Sequence, residues 1–151
     1  MERLAVAFND DLHRKPHLND VERLGEAEVL DTATEIAELL GADLVPVRDD
    51  VPAALHLLRQ YDAVINLCEG VLGNPRFEMN FGLALEMAGV VFTGCDPLAT
   101  ALCIDKLRVK RLLVAAGIPM PRADVLPAIV KPSRDRLSSA CTSKRAPVCT
   151  S

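Results

Sequence analysis

A chain of 151 residues supplies one domain's worth of sequence, enough for a sizeable core. Its acidic balance, net −4, and its scarcity of aromatics (four Phe, one Tyr, no Trp) argue against a nucleic-acid binder, which needs basic stripes or stacking platforms. No apolar run reads as a membrane span, the first residues do not read as a signal peptide, and five cysteines without CxxC spacing read as reduced thiols, so the expected compartment is the cytoplasm.

The opening "LAVAF" (residues 4–8) is a short apolar run closed by Asn9-Asp10-Asp11, the pattern of a buried strand leading into a loop. After a polar stretch holding Pro16, apolar residues recur at helical spacing from Val21 to Leu40, and Gly41 supplies the stop. "DLVPV" predicts a second strand, and Pro46 assigns it to a sheet edge because proline cannot donate to a ladder. A helix follows over 51–59, with Pro52 in its first turn, where the missing N–H costs little. "AVINL" predicts a third strand, apolar throughout as befits the inside of a parallel sheet.

"EGVLGNPR" reads as a loop, "FEMNFGLALEMAG" as a helix closed by Gly89, and "VVFTG" as a fourth strand. Asp96-Pro97 then caps one helix and Asp105 starts another that runs to Gly117. Alternating strands and helices predict an α/β fold with a parallel sheet and right-handed crossovers. Ligands of such sheets gather at the carboxyl ends of the strands. Those ends here carry Asn9-Asp10, Glu69-Gly70 and Thr93-Gly94.

Residues 1–130 hold 12 basic against 20 acidic side chains, whereas residues 131–151 hold 5 against 1. The tail lacks periodicity, so the stretch beyond about Pro127 is expected to dock loosely.

Three places could carry chemistry. Glu69 and Gly70 follow a buried strand, and the glycine permits close approach of a ligand; a carboxylate that merely caps the next helix is the bland alternative. Lys106 stands in a first helical turn, where the helix dipole already favours an anion; the same pattern also suits simple capping and solubility. "IVKP" holds Lys131 at a strand end before a rigid proline, with Ser133 and Ser138 beyond it, an arrangement suited to a phosphate. Neither GxxxxGK[ST] nor GxGxxG occurs. The three histidines lack metal-ligand spacing, so no metal residues are assigned.

Taken in order, "VINLCEG", "LALEMAGVVFTGCDPLATALCIDKLRVKRLLVAAGIPMP" and "AIVKPSR" resemble the amino-terminal portion of the D-alanine–D-alanine ligase-like ATP-grasp family. The resemblance implies a Rossmann-like pre-ATP-grasp domain over residues 1–120, with a parallel sheet flanked by helices. Residues 121–151 would be a linker and the incomplete start of an ATP-grasp domain. In that family ATP and Mg²⁺ drive the joining of a carboxylate to an amine through an acyl phosphate.

By the same resemblance Lys106, Lys131 and Ser138 would face nucleotide phosphates, and Glu69 and Gly70 an amino-acid-like substrate. The domain could also pair with a second copy. The chain departs from the family where Glu69-Gly70 replaces His-Gly, which bears on substrate choice. The family's Mg²⁺ ligands are expected to fall outside this chain, leaving it inactive alone. The alternative is a non-catalytic association or small-ligand-binding domain.

Overall fold

A computed structural model describes residues 2–11 and 20–121, with the side chains of residues 20–26 left out of the description. The elements run β1 (Leu4–Asn9), α1 (Asp20–Leu40), β2 (Asp43–Val47), α2 (Val51–Leu58), β3 (Ala63–Asn66), α3 (Glu78–Met87), α4 (Pro97–Ile104) and α5 (Lys106–Ala115). A short 3-10 turn, Pro75–Phe77, leads into α3.

The three strands form a parallel sheet in the order β2-β1-β3. From β1 the chain steps outward to β2, then crosses back over β1 to reach β3. Right-handed crossovers that reverse direction must place their helices on opposite faces, and the core divides accordingly. Val6 and Phe8 of β1 pack with Ala33 and Ala37 of α1. Ala5 and Ala7 point the other way, into a larger cluster with Val45, Val47, Val64, Ala54, Leu58, Phe81 and Leu85. The period-2 alternation of "AVAF" therefore serves two helical layers at once.

Local chemistry sets the boundaries. Asp50 accepts a hydrogen bond from the Ala53 N–H (2.9 Å) and caps α2, with Pro52 in the first turn. Asp96 Oδ1 accepts from the N–H groups of Leu98 and Ala99 to cap α4, and Asp105 Oδ1 accepts from Arg108 N–H to cap α5. Gly41, Gly89 and Gly117 end α1, α3 and α5 in the left-handed conformation that glycine adopts without strain.

At the amino edge of the sheet, Arg3 lies over the Tyr61 ring and its backbone N–H donates to Asp62 Oδ2 (2.6 Å). The Tyr61 hydroxyl donates to Asp43 Oδ2 at 2.9 Å. Together these bonds fasten β1, β2 and the turn before β3 at the end opposite the strand carboxyl termini.

The predicted fourth strand is rudimentary. Only Phe92 bridges to Val64, through Val64 N–H to Val91 O and Thr93 N–H to Val64 O, both 2.9 Å. β3 is just four residues long, and Gly94 at φ 135° turns the chain away after Thr93, so no further rungs can form. Helices α4 and α5 continue outward from α3; α5 buries none of its residues, and its Leu107 and Leu112 are exposed. Among the described residues no helix is long and apolar enough to cross a membrane.

Candidate functional site

The carboxyl ends of β1 and β3 lie side by side where the strand order reverses, the position at which open α/β sheets bind ligands. β1 delivers Asn9, Asp10 and Asp11; β3 delivers Asn66 and then the Glu69–Gly70 turn; the bridge at Phe92 delivers Thr93.

Side chains organise this corner. The Glu69 N–H donates to Asn9 Oδ1 (3.1 Å), the Cys68 N–H to Asn66 Oδ1 (3.1 Å), and the Asn66 N–H to Thr93 Oγ1 (3.1 Å). Asp10 takes the Arg48 guanidinium at 2.7 Å, so the acidic β1 terminus is partly neutralised from the end of β2. Behind them Cys68 is buried, and desolvation together with the nearby Asp11 carboxylate drives its thiol far above the ordinary range. This sulfur is a core side chain and stays protonated at neutral pH.

The loop after Glu69 is tightly wound. Gly70 has φ 155°, and a Cβ there would lie 2.7 Å from Asn74 O and 2.8 Å from Pro75 Cα. Leu72 and Gly73 both take positive φ, and Asn74 Oδ1 accepts from the Arg76 N–H to start the turn into α3. Glycine at position 70 is thus required by the loop's own backbone, a sufficient reason for its presence before any ligand is considered.

The sequence-predicted residues do not all come together. Glu69 and Gly70 stand at the crevice, with Asn9, Asp10 and Thr93 around it. Lys106 is exposed at the first position of α5, an element that packs on α4. Lys131 and Ser138, with the expected loose tail, lie outside the described residues. Asn66 and Arg48 join this corner without a motif to mark them. Asn66 could have been found as the polar end of an apolar strand, whereas the pairing of Arg48 with Asp10 follows only from the β1–β2 register.

Among the described residues no three His, Cys, Asp or Glu side chains group as a metal would need. The Mg²⁺ that the resemblance implies therefore does not fit the described residues.

No family model matches the chain. In sequence it is similar to the D-alanine–D-alanine ligase of Xylella fastidiosa, 38% identical over 90 residues, which cover 58% of this chain and 29% of that ligase. The D-alanine–D-alanine ligase of Azoarcus is 31% identical over 106 residues, covering 68% of this chain and 34% of that ligase. In structure the chain is similar to the D-alanine–D-alanine ligase of Bacillus anthracis, with a TM-score of 0.58 at 17% identity over 81% of this chain and 37% of the other. That likeness establishes the α/β fold. The chain spans about a third of the length of the curated relatives it matches, or less.

Proposed function

We propose that this chain carries the amino-acid-facing α/β unit of an ATP-dependent carboxylate–amine ligase of the D-alanine–D-alanine ligase type. The carrying observation is the convergence of Asn9, Glu69 and Thr93 at the reversal point of the sheet, within a sequence 31–38% identical to such ligases. In this reading residues 1–120 form the first domain and residues 121–151 open the second. Glu69 and Gly70 bound the place of an amino-acid substrate, and Lys106, Lys131 and Ser138 approach the phosphates of ATP. Phosphoryl transfer of this kind works by positioning and charge neutralisation. The crevice would contribute the positioning of one reactant.

Titration of the ¹⁵N-labelled chain with D-alanine, with and without ATP, tests the proposal. Saturable amide shifts centred on Asn9, Glu69–Gly70 and Thr93, weakened in Glu69→Gln, are expected. Shifts spread evenly over the surface, or none up to tens of millimolar, would overturn it.

A second reading, an association module that includes self-pairing, is favoured by the exposed Leu98, Leu107, Leu112, Val114 and Ile118 of the α4–α5 region. Sedimentation across a wide concentration range decides it: monomer throughout removes self-association.

A further inference from the structure

The parallel ladder between β1 and β3 ends in an unusual way. Ala7 pairs with Asn66, and the Leu67 N–H donates to the Ala7 carbonyl at 2.8 Å. In a parallel sheet every second residue of a strand faces a given neighbour, so the next rung belongs to Asn9 and the Glu69 N–H. That rung goes to Asn9 Oδ1 at the end of the side chain (3.1 Å). On the other side of β1 the ladder stays with the backbone, since the Asp10 N–H donates to Val47 O at 3.0 Å. β1 therefore remains paired with β2 while it parts from β3 by the reach of one side chain.

We propose that Asn9 is a positioning residue whose side chain, standing in for a backbone carbonyl, opens the β1/β3 crevice and fixes where the Glu69–Gly70 turn stands over it. Three observations support the assignment. The Glu69 N–H keeps a partner even though the strands diverge, so opening the crevice leaves no orphaned donor. The turn beyond it has little freedom, because Gly70 is packed against the Asn74 and Pro75 backbone. Moving Glu69 would therefore move residues 69–75 together. The other flank is held independently, by Thr93 Oγ1 on the Asn66 N–H and by Asn66 Oδ1 on the Cys68 N–H. Asn9 thus holds one side of the crevice to the other. The ligand part of this inference rests on the amino-acid-binding reading given above.

The test compares Asn9→Ala, which removes the acceptor, with Asn9→Asp, which retains it. Amide hydrogen exchange is followed on the labelled 151-residue chain. In Asn9→Ala the Glu69 amide exchanges about fivefold or more faster, the size expected for one net hydrogen bond. The Gly70–Asn74 amides shift with it. The Leu67 amide, bonded to the backbone of Ala7, keeps its rate and serves as the control for folding. Asn9→Asp restores the Glu69 rate towards the unaltered chain, which a loss of general stability would not do. D-alanine affinity falls about fivefold or more in Asn9→Ala and recovers in Asn9→Asp.

Unchanged Glu69 exchange in Asn9→Ala would overturn the proposal. So would faster exchange with unaltered D-alanine affinity, since the turn would then not matter to the ligand. If the unaltered chain takes up no D-alanine, the amino-acid-binding reading falls, while exchange at Glu69 and shifts at Gly70–Asn74 still decide whether Asn9 sets the turn. Asn9→Ser, too short to span to Glu69, replaces the alanine variant should that one fail to fold.

Discussion

Substituting Gly70 with alanine provides the most direct quantitative check on the geometry of the crevice loop. The added Cβ would fall 2.7 Å from Asn74 O, 2.8 Å from Pro75 Cα and 3.0 Å from Asn74 C. All three are backbone atoms, so no side chain can rotate to make room. The φ of 155° adds a conformational cost that an L side chain meets at about 1–3 kcal/mol. Displacing the Asn74–Pro75 backbone adds a further ~1–3 kcal/mol.

A total of about 2–6 kcal/mol is a large share of the roughly 5–15 kcal/mol that hold a domain folded. At about 4 °C per kcal/mol for a chain of this size, Tm should fall by roughly 8 °C or more. Gly82→Ala is the matched control. Gly82 lies inside α3, where a Cβ meets only the Pro97 side chain, Cγ at an ordinary 3.5 Å and Cβ at 4.0 Å. Alanine there should be neutral or stabilise by up to ~1 kcal/mol. Urea melts of both variants give the comparison. A Gly70→Ala melt within about 0.5 kcal/mol of the parent, or a larger loss at Gly82 than at Gly70, would refute the loop packing.

In variants that each keep one cysteine with the other four as serine, Cys68 should label with a thiol reagent only as fast as the protein opens, whereas Cys95 or Cys103, both exposed, should label at once. Because burial favours its protonated form, the Cys68 contribution to stability is full below the ordinary thiol value of 9.0 and declines as pH rises above it; denaturant melts from pH 7 to 10.5 should show that decline, and a Cys68→Ala variant should show less of it. Asp96→Ala removes the acceptor for two N–H groups at the start of α4 and should cost about 1 kcal/mol in the same melts, with Asp96→Asn losing much less.

Much of this architecture is written locally. Pro52, Asp96-Pro97 and Asp105 mark helix starts through capping chemistry that depends only on neighbours in sequence, and each stands where that chemistry puts it. Pro46 likewise marks β2 as an edge, and among the described residues β2 pairs with β1 alone. Features that depend on register are hidden. "VVFTG" has the composition of a strand, yet its partner is four residues long and the pairing reduces to a single bridge.

The side-chain rung from Asn9 to Glu69 spans sixty positions, and no local pattern distinguishes that asparagine from an ordinary turn residue. A helix's own sequence carries no information about what covers its apolar side chains, and Leu107 and Leu112 of α5 are exposed. Of the phosphate-facing residues expected from the motifs, only Lys106 falls within the described part of the chain.

The proline in β2 also bears on how copies of this protein behave when crowded. Val45 and Val47 are the buried, inward residues of that strand, while Pro46 is exposed. With the Asp10 N–H bonded to Val47 O, the bonding alternation places the amide position of residue 46 on the side away from β1. An intruding strand that tried to lengthen the sheet from this flank would find a missing donor midway along a five-residue template. At the opposite flank the chain from Val90 to Thr93 offers hardly one rung of regular strand before Gly94 bends it away. Among the described residues, then, both flanks of the narrow sheet are blunted, a pattern that works against edge-to-edge polymerisation despite a core of nearly continuous apolar strands.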